Sequence, residues 1–381
     1  MNTFIPPFCP NPGCAHHLIR EPDSYSAFIR YGYHHTRTFG SVPRFQCTSC
    51  RKTFSSQTFQ LSYDLKRPPN FERIESSLSS CSGIRAIGRS LGGASCASVS
   101  TRIARMARNT LASSSRLASS RSPTEHLASD GFESFCVSQF FPTNITLLVG
   151  KDSAFVYTLD HATLRRKGRM TEAQKKKRAR LDKTDRPDPK ALTTSFSSIL
   201  TDLVPVLLDE GGKRTMELWT DEKKEYARAL GRHVPGAFLV AEERLAHRTV
   251  SSRAARTKDN PLWSVNYMDR EIRKDLKEHV RETVCHGRNV NNQMDRMSVY
   301  VYLHNGEKHY RIGGKGEDER THAEVAGYDR EEVAKERKGI WGLRSLWSRE
   351  WMGESARRTW FRERWTPGKR GKEYLPKRVA L

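Results

Sequence analysis

The stretch MELWTDEKKEYARAL (residues 216–230) decides how this chain is read. It runs with the alternation of a strand, then with the spacing of a helix, and Asp221 sits at the junction. A lone carboxylate there serves either as a cap for the helix or as one corner of a metal site. The segments on either side discriminate between the two.

Working outward, residues 129–141 (SDGFESFCVSQFF), 144–150 (NITLLVG) and 153–163 (SAFVYTLDHAT) read as three strands with hairpin-length connections. A helix is expected in SFSSILTDLVPVLLDEG (195–211). A strand follows in RTMELWT (214–220), then a helix in DEKKEYARALGRH (221–233), a strand in GAFLVAEER (236–244) and a helix beginning near Pro261. The order β-β-β-α-β-α-β-α is that of the ribonuclease H-like fold, an α/β class with a mixed sheet. Proteins of that fold carry acids on the first strand, at the end of the fourth and on a late helix. Asp130 and Asp221 fall in the first two places. The late helix, SVNYMDREIRKDLKEHVRET (264–283), offers Asp269, with Glu278 and Glu282 as alternatives. Asp160, on the third strand, lies outside the expected set.

Carboxylates suit this role because two hard Mg²⁺ or Mn²⁺ ions about 3.5–4 Å apart clamp the attacking and leaving oxygens of a phosphodiester.

The charge points the same way. The chain has 381 residues and a formal charge of +23, which implies a polyanionic partner, most simply nucleic acid. From Arg165 to Lys190 it carries twelve Lys/Arg against four Asp/Glu, making a basic insert at 165–190 in which Arg165, Arg166 and Lys176 are candidate DNA contacts. No apolar run approaches the ~20 residues of a membrane span, and the first residues lack a signal-peptide pattern. A protein of the bacterial cytoplasm and nucleoid, without a membrane partner, is expected.

Of eight cysteines, Cys9, Cys14, Cys47 and Cys50 form two close pairs flanking an aromatic, β-rich segment. This spacing predicts a zinc ribbon over 1–60 with one structural Zn²⁺ held by four thiolates. His16, His17, His34 and His35 are weaker competitors. Residues 83–109 read as two short amphipathic helices broken at Gly92 and Gly93, which places a helix-turn-helix over 72–109. Its second helix would offer Ser100, Thr101, Arg102, Arg105 and Arg108 to DNA. An ordinary helical hairpin with a solvated basic face is the plainer alternative. Residues 110–128, rich in Ser and small residues, look like a linker to a domain over 129–312.

Taken in order, the cysteine pairs, the two helices, DGFESF (130–135), the basic insert, LWTDEKKEYARAL (218–230) and residues 260–305 resemble bacterial insertion-sequence transposases, nearest to relatives of the insertion-sequence-one type. The resemblance spans roughly residues 9–312. It implies an enzyme that binds the inverted-repeat ends of an element on double-stranded DNA and cuts them. It then joins them to target DNA with an acidic triad and divalent metal, working as a homo-oligomer. By motif, Asp130, Asp221 and Asp269 carry over as the triad, with Arg273 one turn beyond the third acid. The family's third acid is usually glutamate, and this chain has aspartate. A catalytically inactive, sequence-specific DNA-binding regulator is the alternative.

Residues 313–381 extend beyond the resemblance. Trp341, Trp347, Trp351, Trp360 and Trp365 alternate with arginines there. Such a segment either stacks on bases or packs as an appendage.

Overall fold

Aromatic residues close to the cysteine pairs build the first unit. The computed structural model describes residues 4–19, 24–208, 215–280, 283–311, 318–371, 373 and 375. After a four-residue helix, α1 (Ser24–Ala27), come β1 (Phe28–Thr36), β2 (Gly40–Cys47) and β3 (Thr53–Ser55), an antiparallel sheet in the order β1-β2-β3. Phe28, Phe45, Phe54 and Phe59 are buried on its inner side. Phe8 and Phe54 meet Phe59 edge to face at 5.2 and 5.6 Å, the arrangement ring quadrupoles favour.

Three helices follow: α2 (Phe71–Ser79), α3 (Ile84–Ser90) and α4 (Cys96–Ser119). Gly92 and Gly93, at φ +70° and +83°, turn the chain between α3 and α4. Ser95 caps α4 by accepting from the Ser98 N–H at 3.2 Å. The two helices expected over 83–109 are present, but α4 continues for 24 residues, about 36 Å. The linker expected at 110–128 is therefore helix as far as Ser119. Its small residues serve close packing: Ala112 is fully buried beside Met352 and Trp360.

The basic face of α4 also differs from expectation. Arg102, Arg105 and Arg108 are buried and so present little surface to solvent. Arg105 donates to the backbone carbonyls of Leu61 and Tyr63. Arg108 pairs with Asp295 and donates to the carbonyls of Thr359 and Trp360. Sequence periodicity identified the face as cationic, but the acceptors that bury it lie far along the chain.

The central sheet has five strands: β4 (Leu127–Phe135), β5 (Pro142–Gly150), β6 (Val156–Thr163), β7 (Met216–Asp221) and β8 (Leu245–Val250), in the order β6-β5-β4-β7-β8. β4, β5 and β6 are antiparallel neighbours, whereas β7 runs parallel to β4 and β8 parallel to β7. Between β6 and β7 lie α5 (Glu172–Asp182) and α6 (Ala191–Leu208). Between β7 and β8 lie α7 (Lys224–Arg232) and α8 (Val234–Ala241). GAFLVAEER, expected as the fifth strand, is thus mostly helix α8, and the strand is LAHRTV after it. Pro235 in the first turn and the His233 cap, Nδ1 to the Gly236 N–H at 3.1 Å, favour the helix.

Alternation in the strands separates two cores. Leu127, Leu148, Met216 and Leu218 pack against Phe196, Leu200 and Leu203 of α6 and against Tyr226 and Leu230 of α7. By length and composition α6 is apolar enough to cross a membrane, but its buried side lies in this core. On the other face Ala128, Phe132, Ile145 and Leu147 meet α9 (Trp263–Asp275) and α10 (Val290–Gly306), with α2, α3 and α4 beyond. Each large apolar side chain so enclosed contributes roughly 1.5–3 kcal/mol. The late helix expected over 264–283 stops at Asp275, and a 3-10 turn at Lys277–His279 follows.

β9 (His309–Arg311) and β10 (Asp318–Thr321) form a short ribbon, followed by α11 (His322–Val325), α12 (Arg330–Arg337) and α13 (Glu354–Trp360). The tryptophan-rich segment divides between core and surface. Trp341 and Trp360 are buried, whereas Trp351 and Trp365 are exposed. Arg358 and Arg364 neutralise Asp160, which is wholly buried on β6.

Candidate functional site

The parallel register of β4 and β7 pairs Ser129 with Thr220, so Asp130 and Asp221 are the next residues along two adjacent strands. Both project from the face that α9 covers, because their neighbours Ala128, Phe132 and Trp219 pack there. Gly131 has a packing reason: a Cβ there would overlap the Asn144 side chain. That close approach seats β4 on β5 beside the acid.

Between the two carboxylates stands Lys223. Its Nζ lies 3.0 Å from Asp130 Oδ1 and 3.0 Å from Asp221 Oδ2. The two carboxylate oxygens are thereby no more than about 6 Å apart, within the span of a two-metal site. Asp130 Oδ1 also accepts from the Gly131 N–H at 2.6 Å and from the Tyr226 hydroxyl at 3.4 Å. Burial lowers the proton affinity of Lys223, but the two carboxylates outweigh it and hold the ammonium above its ordinary value. Asp221 is not the cap of α7; that residue is Lys223 itself. Asp221 Oδ1 accepts the Lys223 N–H at 3.0 Å, and Oδ2 meets the ammonium of the same residue.

Asp269, on α9, lies near enough to Asp130 and Lys223 for their charges to act on its carboxyl. Its Oδ1 is enclosed and has no hydrogen-bond partner among the described residues. Burial, reinforced by the charge of Asp130, pushes its carboxyl up to about 7 against the pull of Arg273, Arg256 and Lys223. The alternatives are placed differently. Glu278 is buried and paired with Arg296, and Glu282 lies outside the described residues. The three aspartates are less tightly drawn together than the cysteines. Among the described residues, only the four cysteines have all their ligand atoms within 4.8 Å of one another.

That second cluster is Cys9, Cys14, Cys47 and Cys50. Cys9 and Cys50 sulfurs are 3.6 Å apart, as are those of Cys14 and Cys47. A tetrahedron with Zn–S bonds of about 2.3 Å has edges of about 3.8 Å, so the spacing is compatible with a structural zinc and far too long for a disulfide. Burial pushes the Cys9 and Cys47 thiols up, so a set of thiolates here calls for a cation among them. Of the histidines, His16 comes nearest, its Nδ1 lying 3.5 Å from Cys47 Sγ. His17 Nδ1 is bonded to the Cys9 carbonyl at 2.6 Å, and His34 and His35 lie exposed on β1.

The remaining cations sort into paired and free. Arg165 is bound to Asp182, and Arg166 to Gln139 at 2.5 Å. Arg273 lies over the Phe132 ring at 4.5 Å and donates to the Glu133 carbonyl. Lys176 is exposed on α5, a helix that buries none of its residues. Sequence reasoning missed Lys223, although it lies two residues from Asp221. It also missed a cleft of about 730 Å³ between α3 and the segment before α10. Arg85, Arg89, Lys277 and Arg288 line this cleft, all exposed, and none forms an ion pair with another described residue. These cations sit on loops and short helices far apart in sequence, so no charge run announced them.

Comparison with protein-family models and with curated proteins finds no match to this chain.

Proposed function

We propose that this protein is a DNA transposase built on a ribonuclease H-like core, cutting the ends of an insertion element and joining them to target DNA. The observation that carries the reading is the placement of Asp130 and Asp221. They are adjacent on parallel strands and share one cation, and Asp269 on α9, within reach of the charge of Asp130, has one enclosed oxygen with no partner among the described residues. Partly buried carboxylates gathered on one face are a fitting shell for hard cations. Asp130, Asp221 and Asp269 would hold two Mg²⁺ or Mn²⁺ ions, which supply water activation and stabilisation of the leaving oxygen when bound.

The chain's own residues fix the geometry. The β4–β7 register holds two carboxylates in place, and α9 presents the third. Water adds to the phosphorus at the element's end and the bond to the bridging oxygen breaks, leaving a 3′-hydroxyl. That hydroxyl then attacks a phosphodiester of the target in the same site, forming a new P–O bond as the target's own bridging P–O bond breaks and its 3′ oxygen leaves as a hydroxyl. Lys176 and the rest of α5, with the cations of the 730 Å³ cleft, form the phosphate-binding surfaces. The cysteine cluster, loaded with zinc, stiffens the N-terminal sheet. Paired element ends require at least two copies of the chain.

A second reading, a DNA-binding regulator without catalysis, is favoured by one feature: the Lys223 ammonium already bridges Asp130 and Asp221. One assay separates the two. Full-length protein with Mg²⁺ or Mn²⁺ should cleave DNA carrying the element's ends, and Asp221→Asn and Asp269→Asn should each abolish cleavage. Cleavage at an undiminished rate in Asp221→Asn removes that residue from the mechanism. A wild-type chain that binds the ends without cutting them supports the regulator.

A further inference from the structure

Lys223 has a role that goes beyond both readings. Its ammonium occupies the place where a cation bridging Asp130 and Asp221 would bind, 3.0 Å from an oxygen of each. We infer that Lys223 is a built-in counter-ion that a divalent ion must displace. Its displaced ammonium then becomes a positioning group for the phosphate of the incoming DNA. This inference rests on the reading of the aspartate pair as a metal site.

The argument is one of charge and reach. Two carboxylates with one ammonium between them leave a net charge of −1. Leaving both bare on one face of a sheet is costly, because like charges this close repel strongly in a partly dry site. Lysine relieves that repulsion with a compact charge on a flexible stem. A divalent ion and the ammonium cannot both stay there, since they would repel each other across the same oxygens. The lysine has somewhere to go: its side chain is 31% exposed, and its backbone opens α7 at the rim of the sheet. The backbone contact that holds Asp221, from the Lys223 N–H to Oδ1, survives such a swing because it does not involve the ammonium. Tyr226, fully buried with its ring 5.6 Å from Nζ, lies on the inner side of the ammonium and leaves the outward side open. A phosphate arriving at the rim accepts the displaced ammonium, so cation and phosphate should each strengthen the binding of the other.

The test is Mn²⁺ binding to the full-length, zinc-loaded chain, followed by electron paramagnetic resonance of free Mn²⁺. Lys223→Met keeps the stem and removes the charge. It should bind Mn²⁺ more tightly than wild type by at least about tenfold, the factor that ~1.4 kcal/mol of relieved competition supplies. Lys223→Arg keeps the charge and should show no such gain; it also serves as the folded comparison if the methionine variant is unstable. A short DNA duplex should tighten Mn²⁺ binding in wild type and do so less in Lys223→Met. Equal or weaker Mn²⁺ binding in Lys223→Met, with binding still abolished by Asp221→Asn, overturns the counter-ion role and leaves the metal site standing. Mn²⁺ binding that Asp130→Asn and Asp221→Asn leave untouched overturns the metal site itself.

Discussion

Arg108 of α4 and Asp295 of α10 face each other in the interior, Nη1 to Oδ1 at 2.5 Å, with side chains 3% and 1% exposed. A second guanidinium, that of Arg362, closes on the other oxygen of Asp295. Removing Asp295 would leave two buried guanidiniums without a counter-ion, at about 3–5 kcal/mol, whereas removing Arg108 leaves Arg362 on Asp295 and takes the donor from the Thr359 carbonyl, at about 1–3 kcal/mol. Arg108→Met should lower stability by the latter amount in urea denaturation. Added to Asp295→Leu, it should cost less than the two single changes summed. Additive losses would mean that the two side chains act independently.

The buried and exposed cations make opposite predictions for DNA binding. Replacing Lys175, Lys176 and Lys177 of α5 with alanine should flatten the dependence of log K on log[salt], by about 0.9 for each phosphate no longer neutralised. The melting temperature should stay within a degree or two, since α5 buries nothing. Arg105→Met should do the reverse, because Arg105 holds the carbonyls of Leu61 and Tyr63 and does not reach the surface. A salt slope changed by Arg105→Met at unchanged stability would contradict its buried placement.

The cysteine cluster predicts one zinc per chain, a tetrathiolate site being closed to further ligands. Cys47→Ser should bring the zinc content close to zero and loosen the β1–β3 sheet, whose small aromatic core is too slight to hold alone. Protease sensitivity should appear within residues 4–60 first, and atomic absorption reads the metal. Unchanged zinc in the variant would remove Cys47 from the site.

Burial pushes the Glu75 carboxyl up to about 7 from an ordinary 4.5, even though the Trp341 indole N–H donates to it at 2.6 Å. In the folded chain it keeps its proton over a range where the unfolded chain has released it. Its favourable contribution is full below about pH 4.5, is lost as pH rises toward 7, and stays lost above that. Glu75→Gln has no such loss. Relative to wild type it should gain about 1–2 kcal/mol between pH 5 and pH 8, a figure discounted for the partial exposure of the group. A difference in stability that is flat with pH would show that Glu75 keeps an ordinary carboxyl.

Much of the sheet was legible because its strands carry their own signal. Met216, Leu218 and Thr220 are buried in alternation with Glu217, Trp219 and Asp221, as a strand with two unlike faces must be. The junction at Asp221 and the placement of Asp130 beside it followed from that pattern. What stayed hidden depended on distant partners. VPGAFLVA is an unbroken apolar run, which a strand and a buried helix share, and only Pro235 and the His233 cap favour the helix. Arg108 belongs to the interior because of Asp295, 187 residues away, and no local period reports that. Lys223 is in plain view in the sequence but reads there as one more charge in DEKKEY. Its role needs the β4–β7 register, which brings Asp130 to it across 93 residues.

The pairing of Asp160 with Arg358 and Arg364 also sets an order in time. Asp160 lies wholly buried on β6, and its counter-ions follow it by 198 and 204 residues. At about 5–20 residues per second, a ribosome delivers them roughly 10–40 s after the strand itself. Through that interval the nascent sheet has an acid in its interior with nothing to neutralise it. The core therefore cannot reach its final packing strand by strand as it emerges. It waits for chain made much later, so a pause or truncation between β8 and α13 strands the whole sheet, and not only the segment that is missing.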